Sequence, residues 1–282
     1  MKKIIQIILF IVATGANGQS DLLIWKSDTL NIYSNPLKLK KNWNQLDQTI
    51  TDRIEEYRFG KNKDSVIAII PWGNYKTEWL IRNDSLYSTK IISLYEPNDD
   101  LNLQKIFQTE QRLIFADWVD ESIIIFDGNC IICTGNHGKN SSIYPNETVF
   151  KFQDGVLSGK TDYRNFISKK SKFSSANPNE YLGFVYGNIN WNKIPDIGDK
   201  NYQVSITIKP KHNGKLKEID WENSYLIVGN SIIQDRENIF IKEAIRIAKR
   251  IPDWDVVIRQ DKILNQGMTI LFSEEMKEKY AR

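Results

Sequence analysis

The sequence predicts an α+β protein in two parts: a β-rich N-terminal domain, then a small C-terminal antiparallel sheet with one helix packed on it. Three observations carry that expectation. Short apolar-aromatic runs broken by turn residues fill the first half, a Ser/Lys/Asn-rich break follows, and the final third reads strand, strand, helix, strand, strand. The composition is that of a folded chain, 41% hydrophobic and 11% aromatic over 282 residues. The 38 basic and 35 acidic side chains are well mixed and leave a net charge of only +3, which gives no reason to expect nucleic acid as a partner. The densest basic stretch, Lys169, Lys170 and Lys172, lies among Ser and Asn and reads as a solvated linker.

The opening "MKKIIQIILFIVATGANGQS" has the parts of a secretory signal. Lys2 and Lys3 form the charged start, Ile4 to Ala13 the apolar stretch, and Ala16 with Gly18 a small-residue cleavage site. The apolar run falls short of the roughly 20 residues that a membrane-crossing helix needs. Residues 1–18 are therefore expected to be removed, leaving a secreted or periplasmic chain that begins near Gln19 and has no membrane span.

Residues 19–166 are expected to form the β-rich domain. "SVIAII", "KTEWLI", "SLYSTKIISLY", "RLIFADW", "ESIIIF" and "TVFKF" are rich in β-branched and aromatic side chains. Asp154-Gly155 is a favoured two-residue hairpin turn, with Phe152 facing Leu157 across it. One helix interrupts the strands, because Trp43, Leu46, Ile50, Ile54 and Tyr57 recur at three- and four-residue steps. Residues 167–183 lack an apolar period, carry Pro178, and are expected to be a linker.

Residues 184–282 are expected to form the second domain. Asn213-Gly214 predicts a hairpin in which Ile208 faces Ile219 and Ile206 faces Trp221, on the same side as Val204. Pro210 has no amide hydrogen and places the first strand at an edge or at its end. The helix at Ile239 to Arg250 gathers Phe240, Ile241, Ala244, Ile245, Ile247, Ala248 and Ile251 on one arc. Pro252 stops it, since proline cannot continue the hydrogen-bond ladder and disfavours helical geometry at Ile251. Trp254, Val256 and Ile258 then alternate as a strand, as do Ile270 and Phe272.

"EAIRIAKRIPDW" followed by "DKILNQGMTILF" resembles the C-terminal domain of the TonB family, and "YQVSITIKPKHNGKLKEIDW" is similar to that family's opening hairpin. The likeness covers about residues 184–275, and it is closer still to uncharacterised secreted bacterial proteins with a TonB-like C-terminus behind a β-rich N-terminal half. The retained anchor and Pro-rich spacer of the energy-transducing members are missing, with only eight prolines in the chain, so the resemblance implies a domain shape and not that role. It also implies strand addition of an extended peptide at the sheet edge, here expected at Tyr202, Val204, Ile206 and Ile208.

"GNCIICTGNHG" places Cys130, Cys133 and His137 close together. Zinc would want a fourth ligand, and nothing in the sequence selects one, so no metal is expected. The two cysteines read as small buried hydrophobes, as a disulfide if the segment is a tight turn, or as reactive thiols. No Gly-rich phosphate loop, Walker sequence or zincin motif is present, so no cofactor and no catalytic residue is expected. Most of the eight tryptophans fall on core-facing positions; Trp72 and Trp118 sit beside turn-like residues and are the better candidates for a platform that stacks sugar rings, although core packing is the favoured reading for them too. The expected role is a non-enzymatic envelope protein that binds a protein or peptide. The alternatives are an envelope hydrolase using the Cys130–His137 region and a periplasmic immunity or inhibitor protein.

Overall fold

A computed structural model describes residues 20–59, 75–94, 100–133, 142–173 and 177–281. The expected signal at residues 1–18, the run Ser65–Ile70, Trp72 and His137 lie outside the described residues. The chain divides into two compact units, Met1–Tyr163 and Arg164–Arg282.

In the first unit the strands are β1 (Leu22–Trp25), β2 (Asp28–Ile32), β3 (Tyr75–Arg82), β4 (Ser85–Ser93), β5 (Asp100–Leu101), β6 (Ile114–Phe115), β7 (Ser122–Asp127), β8 (Asn146–Gln153) and β9 (Val156–Arg164). Tight reversals join several of them. Lys26-Ser27, Asn83-Asp84 and Asp154-Gly155 all hold positive φ at both positions, the twist that two-residue hairpins demand. Seven of the strands form a ring in the order β3-β1-β2-β7-β8-β9-β4, with β4 returning to β3. β1 with β2, β2 with β7, β7 with β8, β9 with β4 and β4 with β3 pair antiparallel, whereas β1 and β3 run parallel from Leu22 opposite Glu78 to Ile24 opposite Leu80.

The ring closes at a narrow seam. Ser85 pairs with Val156, the Leu86 amide donates to Gly155 O at 2.9 Å, and the Leu157 amide donates to Asp84 O at 2.7 Å. Helix α1 (Trp43–Phe59) contributes its predicted stripe, with Leu46, Ile50 and Ile54 buried in one cluster with Leu23, Trp79, Leu86, Ile91, Ile123 and Phe150. The short α2 (Leu103–Phe107) is capped by the Asn102 side chain, which accepts from the Lys105 amide, and buries Leu103 and Ile106 in the same cluster.

The second unit holds β10 (Phe166–Lys169), α3 (Pro178–Gly187), β11 (Tyr202–Pro210), β12 (Leu216–Val228), β13 (Ser231–Ile233), α4 (Ile239–Arg250), β14 (Val256–Arg259), β15 (Lys262–Ile263), β16 (Gln266–Phe272) and α5 (Glu274–Tyr280). Two sheets result, one in the order β10-β14-β15 and one in the order β13-β12-β11-β16. The segment expected to be a linker is thus strand at its beginning and helix at its end. Ile167 faces Val257, next to Phe166 opposite Ile258, so the apolar start of the segment is used in pairing despite the charged neighbours. Helix α4 buries Phe240, Ile241, Ala244, Ile247 and Ala248 and stops before Pro252, its last turn closed by the Ile251 amide on Ile247 O.

This architecture corrects the expected fold. The largest sheet is a closed barrel, a different fold from the open sheet with a single helix of the TonB C-terminal domain, and the described residues of the second unit form two sheets and three α-helices rather than one of each. Strand alternation reports which face of a strand is buried; it does not report whether a sheet closes on itself.

The predicted hairpin register is also only partly right. Ile208 faces Ile219, but the ladder breaks after Thr207 opposite Asp220 and resumes at Ser205 opposite Tyr225, so Ile206 does not face Trp221. A polar clasp fills the break. Ser224 Oγ donates to Asp220 O at 2.6 Å and accepts from the Thr207 amide at 2.9 Å, standing in for a lost ladder bond.

Gly155 is the critical residue of the barrel seam. It holds φ +75°, and an added Cβ would lie 2.5 Å from Ala116 O. Gly155→Ala is expected to cost at least about 2 kcal/mol, from left-handed strain plus that clash. Urea titration measures the loss, and faster hydrogen exchange at the Leu86 and Leu157 amides would place it at the seam.

Candidate functional site

Cys130 and Cys133 follow β7 in a tight turn and not in a strand, with Cα atoms 5.5 Å apart and the sulfurs joined as a disulfide. Cys130 is half-buried and Cys133 exposed, which corrects the reading of the pair as buried hydrophobes. Bonded sulfurs offer no thiolate, so neither cysteine is a reactive thiol in this state. His137 lies outside the described residues, and no group of three or more His, Cys, Asp or Glu side chains able to hold a metal occurs among the described residues.

The expected edge strand is not an edge. Tyr202, Val204, Ile206 and Ile208 lie on β11, which pairs with β12 on one side and with β16 on the other. Val204, Ile206 and Ile208 are fully buried. Pro210 sits at the end of β11, which satisfies the proline without exposing the strand.

The open edge belongs to β16. Its register with β11 runs from Tyr202 opposite Phe272 to Ile208 opposite Gln266, and no other described strand pairs with it. The Leu271 amide does not enter the ladder; it donates to Tyr186 Oη of α3 at 3.0 Å. Backbone groups of an antiparallel strand alternate in direction, so Thr269 and Gly267 present theirs outward as Leu271 does. Both are exposed, and a Cβ added at Gly267 would meet nothing within 4 Å. The strand "QGMTILF" has no proline and no charged residue, the devices that commonly blunt an edge. The opposite edge, β13, is only three residues long. Sequence reasoning missed β16 because the last strand of a chain looks no different from a central one until its partners are known.

Helix α4 is held to the loop after α3 by a partly buried ionic knot. Glu243 accepts from Arg246 Nε at 2.8 Å, from Arg246 Nη2 at 2.6 Å, and from the Asn190 amide at 2.6 Å, while Arg246 Nη2 also donates to Asn188 O. Burial alone would raise the Glu243 carboxyl, but the Arg246 and Asn190 bonds outweigh it and hold it below the ordinary glutamate value. The knot fixes the loop that leads from Tyr186, the residue capping the β16 edge.

Asp21, just before β1, is a buried carboxylate. One oxygen accepts from the Thr77 amide at 2.9 Å and the other from Trp79 Nε1 at 3.0 Å. Desolvation pushes its pKa up to about 6, although both hydrogen bonds and the nearby Lys38 act to lower it. No protein-family model, no curated protein and no solved structure matches the chain, so no family is assigned.

The Asp21 shift has a definite sign. A carboxyl raised from 3.8 to about 6 binds its proton more tightly in the folded protein than in the unfolded chain. Its contribution to stability is full below pH 3.8 and is lost as pH rises through 6, a drop of about 3 kcal/mol for a shift of this size. Urea titrations at pH 4 and pH 7.5 should show most of that drop in the parent protein and a much smaller pH dependence in Asp21→Asn.

Proposed function

We propose that the chain is an exported, non-enzymatic protein of the cell envelope that binds an extended peptide segment of another protein along β16. The unguarded edge is the observation that carries this reading. Gly267 and Thr269 offer two outward amides and two outward carbonyls on a strand whose inner side is anchored to β11. A peptide adding there would gain main-chain hydrogen bonds, and the exposed Thr269 and half-buried Leu271 would meet its side chains. Tyr186 marks one end of the binding stretch by occupying the Leu271 amide.

Export is supported by the charged and apolar opening of the sequence and by the Cys130–Cys133 bond, which persists in oxidising compartments and is rare in the cytosol. No helix among the described residues is long and apolar enough to cross a membrane.

The test selects peptides from a displayed random library against the purified chain and maps where they bind by amide exchange. Selected peptides should protect the Gly267 and Thr269 amides. Thr269→Pro removes an outward amide, and Gly267→Lys places a charge in open space; each should weaken binding at least tenfold without lowering the melting temperature. Peptides that bind without protecting these amides would defeat the proposal. So would self-association through β16 in sedimentation, which would make a second copy the occupant.

A further inference from the structure

The first unit carries a groove of about 850 Å³ between the segment leading into α1 and the turn before β7. Its lining includes Lys38, Lys40, Lys41, Asn42, Trp43 and Trp118, and every charged side chain in it is a lysine. None of the three lysines forms an ion pair with a described residue. Three like charges within four positions repel one another; Lys38 is near the buried Asp21, but no acidic side chain lines the groove beside Lys40 and Lys41.

The two indoles beside these lysines are fixed from behind. Trp118 donates its Nε1 hydrogen to Pro36 O at 3.0 Å, stacks on Phe107 with centroids 6.1 Å apart, and meets Trp79 edge-on at 6.4 Å. Lys40 Nζ stands 4.1 Å from the centroid of its ring. Trp43 leans on Tyr75, whose hydroxyl donates to Asp47 at 2.8 Å, so the nearest carboxylate of α1 is engaged with tyrosine and does not line the groove. Both rings remain half-exposed on the groove side of the helix start.

We propose that this groove binds an acidic oligosaccharide. The volume suits a ligand of several rings and exceeds what a small inorganic anion would fill. The Trp43 indole suits the apolar face of a sugar ring, Trp118 holds Lys40 over its own ring at the groove, and Asn42, Asn44 and Gln45 supply amide groups for the sugar hydroxyls. Lysine presents a mobile point charge and not the rigid fork of arginine, which suits carboxylates spaced along a chain better than one tightly held phosphate. The inference is independent of the peptide edge on the second unit.

Tetragalacturonate is the probe, titrated into the purified chain and followed by the Trp43 and Trp118 indole NH resonances and by calorimetry. Both resonances should shift, and affinity should fall at least tenfold between 50 and 300 mM salt. Lys40→Glu with Lys41→Glu should weaken binding at least tenfold while leaving the melting temperature unchanged, and Trp43→Ala should weaken it with charge intact. The proposal is overturned if maltotetraose binds as well as the uronate, if citrate reproduces the shifts, if a DNA oligonucleotide binds more tightly, or if the double lysine variant binds like the parent.

Discussion

The first unit depends on a seam only a few hydrogen bonds wide. Six of the neighbouring strand relations in the ring would persist in an open sheet; the contact of β4 with β9 is what makes the sheet a barrel. That contact is centred on Gly155, whose carbonyl serves the Leu86 amide while its own amide donates to Val119 O at 2.8 Å. A residue with a side chain does not fit, because the backbone of Ala116 approaches too closely. Closure then gives Trp79, Phe150 and Leu86 a fully enclosed environment, which is where most of the unit's apolar burial is gathered.

Much of the local structure was legible in the residues, and much of the topology was not. The period of Leu46, Ile50 and Ile54 marks α1 correctly, and Pro252 marks the end of α4. These features are written within a few residues of where they act. The parallel pairing of β1 with β3 joins segments separated by α1, and nothing in "DLLIW" announces it. The break at Ile206, between Ser205 and Thr207, was hidden for another reason. Ser224 replaces a backbone partner with its hydroxyl, and a serine on a strand carries no signal that it will do so.

The candidate sites divide in the same way. The cysteines could be weighed because spacing limits geometry, and a turn rather than a strand decided between the readings. The edge strand was misplaced because edge status belongs to the sheet and not to the strand. β11 is as apolar as a central strand should be, with Val204, Ile206 and Ile208 all buried, and β16 supplies the side that was expected to be open. The lysine groove escaped sequence reasoning since Trp118 lies far along the chain from Lys40, and only the fold brings them together.

The ring also sets an order of events for a chain that is made from its N-terminal end. β1 and β2 emerge first, yet β4 must wait for Val156 and Leu157 before the ring can shut. Ring formation is therefore a late, long-range step, of the kind that folds in milliseconds to seconds rather than microseconds. Until then the inner faces of β3, β4 and β7 are unsheltered, and the open ladder of β4 is a sticky template for neighbouring chains. A chaperone that holds the emerging polypeptide would matter most before Gly155 arrives, and little afterwards.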